Sequence, residues 1–221
     1  MIVVYCATND YIEKIQPSIR SLKKFNDNVT VYVVTEQDNA DGADYTINVK
    51  DQKWFPESGV NYHNAYSHIG LLKVCYPYLI PEERVIHLDP DTIINDTLEP
   101  MWETDLNGKW FAMCDETLGK YKPFGEHYWN AGVLVLNLEQ LRKDDPMPRM
   151  IEYLNTVKQP WCEQDAFNFM SAGKVVALDK RYNECFATGY TNDPAIIHYA
   201  GIGNWWNNKS MSRADYLFRF R

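Results

Sequence analysis

The stretch "RVIHLDPDTIIND", residues 84–96, decides the fold. A nearly continuous apolar run, Arg84 to Leu88, ends on two aspartates, Asp89 and Asp91, with Pro90 between them. Such a run reads as a strand buried on both faces, as parallel sheets require. In open α/β sheets, ligands sit beyond the carboxyl ends of the strands. Residues i and i+2 of an extended segment point to one side, so both carboxylates can face one point. Left unpaired they repel and raise each other's pKa, a penalty that a divalent cation removes. Hard oxygen ligands suit magnesium or manganese. Two other readings stand beside this one. Asp91 with Thr92 can cap a turn while Asp89 is merely solvated. Alternatively, Asp89 can be the nucleophile of a phosphatase-type D-x-D-x-[TV] motif, which Ile93 at the fifth position and two preceding strands disfavour.

Outward from this strand the chain alternates. "IVVYCAT" (2–8) reads as a buried strand. In "DYIEKIQPSIRSLKKF" (10–25) Ile12, Ile15, Ile19, Leu22 and Phe25 fall at helical spacing, with Pro17 marking a kink or a late start. "VTVYVVT" (29–35) is the next strand, and strand–helix–strand at this spacing predicts a right-handed βαβ unit. "DNADGADYTINVK" (38–50) reads as a turn and short strand, and "NAYSHIGLLKVCYPYLI" (64–80) as a helix stopped near Pro77 and Pro81. Downstream, 109–115, 130–138, 174–178 and 195–201 read as strands, and 147–158 and 163–172 as helices. The pattern predicts an α/β fold with a mixed central sheet flanked by helices, as one domain over 1–221.

Composition narrows the function. The 221 residues are 45% hydrophobic, 14% aromatic and 24% charged, which is globular. A net charge of −8 argues against broad nucleic-acid binding. Five cysteines, with no CxxC, argue against a zinc site or a disulfide framework and predict a reducing, cytoplasmic location. The opening "MIVVYCATND" has no basic stretch of a signal peptide, and no apolar run is long enough for a membrane span. The sequons at Asn28, Asn95 and Asn208 are read as chance. The basic, aromatic tail "SRADYLFRFR" offers at most weak contact with a membrane surface.

Three further segments carry chemistry. Asn130-Ala131-Gly132 is a small-residue turn opening a strand, which lets backbone approach a ligand closely. "WCEQDAFN" (161–168) puts Glu163, Gln164 and Asp165 at a helix start, where acids commonly serve only as dipole partners or caps. "IIHYAGIGNWW" (196–206) ends a strand on His198, a candidate third ligand for the aspartate pair.

In this order, "YCATND", Lys73, "HLDPDTII", "LEPMWETDLNGKWFAMCDE", "WNAGVLVLNL", "EQDAFN" and "HYAGIGNWW" resemble the retaining glycosyltransferases of family 8, the glycogenin and lipopolysaccharide-galactosyltransferase group. The resemblance spans most of the chain. It implies a GT-A (Rossmann-like) fold, a UDP-sugar donor, a carbohydrate or other hydroxyl acceptor, and Mn2+, with Mg2+ an alternative. It places Ala7, Thr8, Asn9 and Tyr11 at the nucleoside, and Lys73 near the donor sugar or phosphate. Asp89, Asp91 and His198 become metal ligands, with Asp89 also at the ribose. Asp115 or Glu116, together with Asn130, Ala131 and Gly132, would meet donor or acceptor hydroxyls. Glu163 and Gln164 would flank the anomeric face, and Gly201 would admit the diphosphate. The sequence departs from the family in three places. Asn204 stands where a lysine normally meets the diphosphate, with Lys209 or Arg213 as substitutes. Glu163 replaces an aspartate, and the loop around Tyr11 is a residue shorter. Asn204 is the feature that favours the alternative, a degenerate protein that binds a nucleotide-sugar without turnover.

Overall fold

A computed structural model describes residues 1–116 and 124–201. The strands are β1 (Ile2–Cys6), β2 (Thr30–Thr35), β3 (Tyr45–Asn48), β4 (Arg84–Leu88), β5 (Thr92–Ile94), β6 (Phe111–Asp115), β7 (Trp129–Asn137), β8 (Val175–Ala177) and β9 (Ile196–His198). The α-helices are α1 (Gln16–Phe25), α2 (His68–Leu71), α3 (Tyr76–Leu79), α4 (Glu99–Trp102), α5 (Leu138–Asp144), α6 (Met147–Thr156) and α7 (Glu163–Met170). Seven strands form the central sheet in the order β3-β2-β1-β4-β7-β6-β8. β3, β2, β1 and β4 run parallel; β7 is antiparallel to both β4 and β6, and β8 is parallel to β6. The mixed sheet expected from the sequence is thus present, with the aspartate-bearing strand β4 at its centre.

Side-chain alternation splits the core into two layers. Val4, Val85, Phe111, Leu134 and Leu136 pack on one face, against Leu72, Tyr76 and Phe167. Val3, Tyr5, Ile86, Val133 and Val135 pack on the other, against Ile19 and Leu22 of α1. Each fully buried Ile or Leu of this kind stabilises the fold by about 1.5–3 kcal/mol.

Two predicted helices differ in their bounds. The expected helix over 10–25 begins only at Gln16, because Pro17 occupies the first turn, where its missing N–H costs nothing. Ahead of it, Asn9–Tyr11 form a 3-10 turn, so Ile12 and Ile15 reach the core from turn geometry. The expected helix over 64–80 is three short pieces: α2, a 3-10 turn at Leu72–Cys75, and α3. Pro77 does not stop this segment but sits in the first turn of α3.

Two features position the site. β5 leaves the sheet immediately after Asp91 and pairs antiparallel with β9, Thr92 opposite His198. This ribbon was not foreseen, and it brings His198 to the aspartates. In addition, the register of β7 on β6 shifts between Met113 and Cys114, so that Asn130 lies opposite Cys114. There the Gly132 carbonyl accepts from Asp89 N at 2.7 Å.

Candidate metal centre and donor cleft

Asp89, Asp91 and His198 converge as the sequence predicted. One ligand atom from each lies within 4.8 Å of the others. His198 Nε2 is 3.3 Å from Asp91 Oδ1 and 3.7 Å from Asp89 Oδ2. The turn between the aspartates is closed by the Thr92 hydroxyl, which donates to the Asp89 carbonyl at 2.9 Å, so neither carboxylate is spent as a cap there. Two carboxylate oxygens and an imidazole nitrogen form a donor set that suits a hard divalent cation. The residues therefore fit such an ion.

Only one oxygen of Asp89 is available to it. The other, Oδ1, accepts from Lys73 Nζ at 2.7 Å and from His87 Nε2 at 2.9 Å. Burial alone would raise the Asp89 pKa, but Lys73 and then His87 overcome it and hold the carboxyl below its ordinary range. A carboxylate can only accept, so His87 carries its proton on Nε2 and takes the Tyr76 hydroxyl on Nδ1, 3.0 Å away. Burial first, and Lys73 second, push the His87 pKa down to about 4, which leaves a neutral ring at physiological pH. His87 was not foreseen as a site residue. The signal was present, since His87 stands two residues before Asp89, within β4.

Lys73 is buried and bridges further, with Nζ 2.9 Å from Glu163 Oε1 and 3.3 Å from the Ala131 carbonyl. Desolvation opposes its charge, but Asp89 and Glu163 outweigh that and raise its pKa. Burial pushes the Glu163 carboxyl up against the pull of Lys73. For His198 burial again works against the charged ring, and Asp91 overcomes it, so the pKa is raised well above the ordinary value.

Beside the triad opens a cleft of about 280 Å³. Ala7, Thr8, Tyr11, Lys73 and Asp89 line it together with Glu163, which gathers part of the predicted donor set on one surface. Tyr66 and Ser67, from the loop before α2, form another wall that the sequence did not announce. Asn9 does not line it; its Oδ1 accepts from the Thr35 hydroxyl at 3.1 Å. Gly201 is exposed and adopts φ +74°, a backbone conformation that glycine tolerates without strain. Asn204, Lys209, Arg213 and the basic tail lie outside the described residues.

Behind the triad the predicted polar residues interlock. Gln164 Oε1 accepts from Ala131 N at 2.8 Å, and its Nε2 donates to Glu116 Oε1 at 3.0 Å. Asn130 Nδ2 donates to the same Glu116 oxygen at 2.8 Å, while Asn130 Oδ1 accepts from Gly132 N at 2.9 Å. Of the acidic pair at the end of β6, Glu116 is therefore the one that faces Gln164. Asp115 is turned to His127 Nδ1 at 2.8 Å and Tyr128 N at 3.0 Å. Asn130 and Gly132 likewise serve this inner network and do not line the cleft. Gly132 is needed for space: a Cβ there would stand 2.1 Å from Cε1 of His198. Asp165 is fully buried, accepting from the Tyr128 hydroxyl at 2.6 Å and Trp161 N at 2.8 Å, so it is a structural acid.

A sheet in which β7 alone runs against the other strands, ending in a carboxylate pair, with a short ribbon delivering a third ligand, is the layout of a GT-A glycosyltransferase. The model of glycosyl transferase family 8 matches residues 2–210, and the chain belongs to that family. Among curated relatives, a putative glycosyltransferase of Haemophilus influenzae is 27% identical over 66% of this chain and 49% of its own length. Lipopolysaccharide glucosyltransferase WaaO of Escherichia coli K12 is 28% identical over 57% of this chain and 44% of its own length. Glycosyltransferase GlyB of Streptococcus pneumoniae is 22% identical over 96% of this chain and 54% of its own length. The chain thus spans about half the length of these relatives. Among solved structures, the galactosyltransferase LgtC, crystallised with donor and acceptor sugar analogues, superposes with a TM-score of 0.77 at 21% identity, covering 99% of this chain and 94% of that one. GlyE of Streptococcus pneumoniae gives 0.76 at 19% identity, covering 99% of this chain and 59% of that one. These two likenesses speak for the GT-A fold.

Proposed function

We propose that this chain, as one GT-A domain over 1–221, is a retaining, metal-dependent hexosyltransferase that uses a UDP-sugar, with Mn2+ or else Mg2+ as cofactor. The hexose passes to a hydroxyl acceptor on a glycan, a lipid-linked sugar or a protein. The observation that carries this reading is the convergence of Asp89, Asp91 and His198 at the mouth of a cleft lined by Ala7, Thr8, Tyr11 and Lys73. When bound, a divalent ion offsets the negative charge that develops on a departing diphosphate, worth several kcal/mol.

The protein residues have the remaining work. Asp89 and Asp91 present carboxylates already relieved of mutual repulsion by Lys73, His87 and His198. Lys73 sits where an anionic donor enters and keeps Glu163 in place. Gln164 is oriented at both ends of its amide, by Ala131 N and Glu116, and so holds a fixed pose. A covalent route needs a carboxylate free to attack the anomeric carbon. Glu163 is engaged by Lys73 and Asp165 is buried in a structural role, which favours front-face attack with Gln164 and Glu163 positioning the sugar. Glu116 takes the part near hydroxyl groups for which Asp115 was the first candidate.

The cytoplasmic reading rests on five cysteines that are all unpaired and buried. No helix among the described residues is long and apolar enough to cross a membrane. Asn204 keeps the degenerate, non-catalytic reading as the alternative. Calorimetric titration of UDP, with and without Mn2+, into wild type and Asp91→Asn separates these ideas. Binding that needs the ion and is lost in the variant supports the proposal, and release of UDP from a UDP-sugar then separates turnover from mere binding. Metal-independent binding refutes the clamp.

A further inference from the structure

Between Gly132 and the aspartates lies a chain of groups whose donor and acceptor directions are forced. The Gly132 N–H can only donate, so the Asn130 atom 2.9 Å from it is the amide oxygen. The Asn183 atom 2.8 Å from that same oxygen must then be Nδ2–H. Asn183 consequently turns its Oδ1 toward Nδ1 of His198, 2.9 Å away. An amide oxygen only accepts, so Nδ1 of His198 carries a proton. The nitrogen left to face Asp91 and Asp89 is Nε2.

We infer that Asn183 is a positioning residue which, with Asn130, fixes the tautomer and ring plane of His198 so that Nε2 is the nitrogen offered to a divalent cation. The inference rests on the reading of Asp89, Asp91 and His198 as a cation site. Histidine ligands generally need such a partner on the other ring nitrogen, because it sets which nitrogen is bare. Asn183 is well placed for the task. It is fully buried, its N–H donates to the Lys180 carbonyl at 3.0 Å, and its own carbonyl accepts the Thr188 hydroxyl. The ring is also confined from the far side, where Gly132 leaves room for it and for nothing larger. At its other end the relay runs from Asn130 through Glu116 to Gln164, whose oxygen is set by Ala131 N. Two successive backbone N–H groups, Ala131 and Gly132, therefore orient both the Gln164 amide and the His198 imidazole. That gives the Asn130-Ala131-Gly132 stretch, which lies within β7 and is not the turn expected from the sequence, a role distinct from contact with sugar hydroxyls.

The test uses full-length protein with 15N-labelled histidine, metal-free and then saturated with Mg2+, which is diamagnetic. In the Mg2+-saturated state, long-range 15N–1H spectra are expected to show His198 protonated at Nδ1 and bare at Nε2, the nitrogen that responds to the ion. Asn183→Ala is expected to lose the protected Nδ1–H signal and to weaken Mn2+ binding by about 10- to 100-fold, read by titration calorimetry. Asn183→Asp loses the donor to Asn130 Oδ1 but retains an acceptor for Nδ1–H, so it should keep the signal and lose less affinity than Asn183→Ala. It also decides the matter if the alanine variant does not fold. A bare Nδ1 in wild type, or unchanged spectra and affinity in Asn183→Ala, overturns the inference. Absence of any Mg2+ or Mn2+ response in wild type instead overturns the cation reading.

Discussion

Asp89 divides the site into two halves built on different physics. Toward Lys73, His87 and Glu163 the half is charged and dry, and its order comes from Coulomb attraction at short range. Toward His198, Asn183 and Asn130 the half is made of neutral amides and one imidazole, and its order comes from the direction of each hydrogen bond. A buried charge left without its partner is costly, so the first half should fail by unfolding. A misdirected amide costs less but turns the wrong atom outward, so the second half should fail in binding.

Lys73→Met gives the largest expected effect. It strands the Asp89 and Glu163 carboxylates in a buried setting, and removing one partner of such a pair costs about 3–5 kcal/mol. Urea denaturation with chelator present would measure it. A loss below 1 kcal/mol would mean that the charged half is wetter than its geometry implies. Next comes His87→Phe, which keeps a ring but removes the donor to Asp89 Oδ1. A hydrogen bond to a charged group is worth about 1.5–3 kcal/mol, and the same denaturation curves read it.

Gly132→Ala crosses to the amide half. The added methyl collides with the His198 ring. Overpacking costs about 1–3 kcal/mol, and divalent-ion affinity should collapse out of proportion to that loss. If affinity survives with stability reduced, the contrast between the halves is wrong. The smallest effect concerns Arg181, which anchors the segment carrying Asn183 by bonding Asp96 and Asp193. Arg181 hydrogen bonding holds the Asp96 carboxyl below its ordinary range, against a smaller opposing effect of burial. The Asp96 contribution is therefore present above the unfolded carboxylate pKa and fades as pH falls through the lower folded value. Asp96 is half exposed, so the wild-type advantage over Asp96→Asn should be about 0.2–1 kcal/mol at neutral pH. Melting curves from neutral to acid pH should show the two proteins converging.

The charged half was legible in the sequence except for His87, and the amide half except for Asn183. Asp89 and Asp91 announce themselves as carboxylates at a strand end, whereas Lys73 and Glu163 took their place in the site only through the family resemblance. His198 was legible as a strand-end histidine with a metal candidate nearby. Asn183 carries no such mark. Its place depends on pairing between segments, with Ala195 N on the Arg181 carbonyl and Glu184 N on that of Ile196, and no local periodicity encodes those bonds. The choice between Asp115 and Glu116 turned on the irregular register of β7, which is equally silent in sequence. The helix start at Gln16 differs from the periodic reading because a 3-10 turn precedes it, and the start at His68 because Ser67 caps the helix there, its hydroxyl accepting from Ile69 N.

The β5–β9 ribbon has a consequence for how the site comes into being. Its three-residue strands join Asp91 and Thr92 to His198, which are remote along the chain. A synthetic peptide spanning residues 84–96 would hold both carboxylates and still lack the third ligand and the lysine. On the proposed reading, divalent-ion affinity is an emergent property of closed topology. During denaturant titration it should vanish together with global structure, which makes ion binding a reporter of native chain closure.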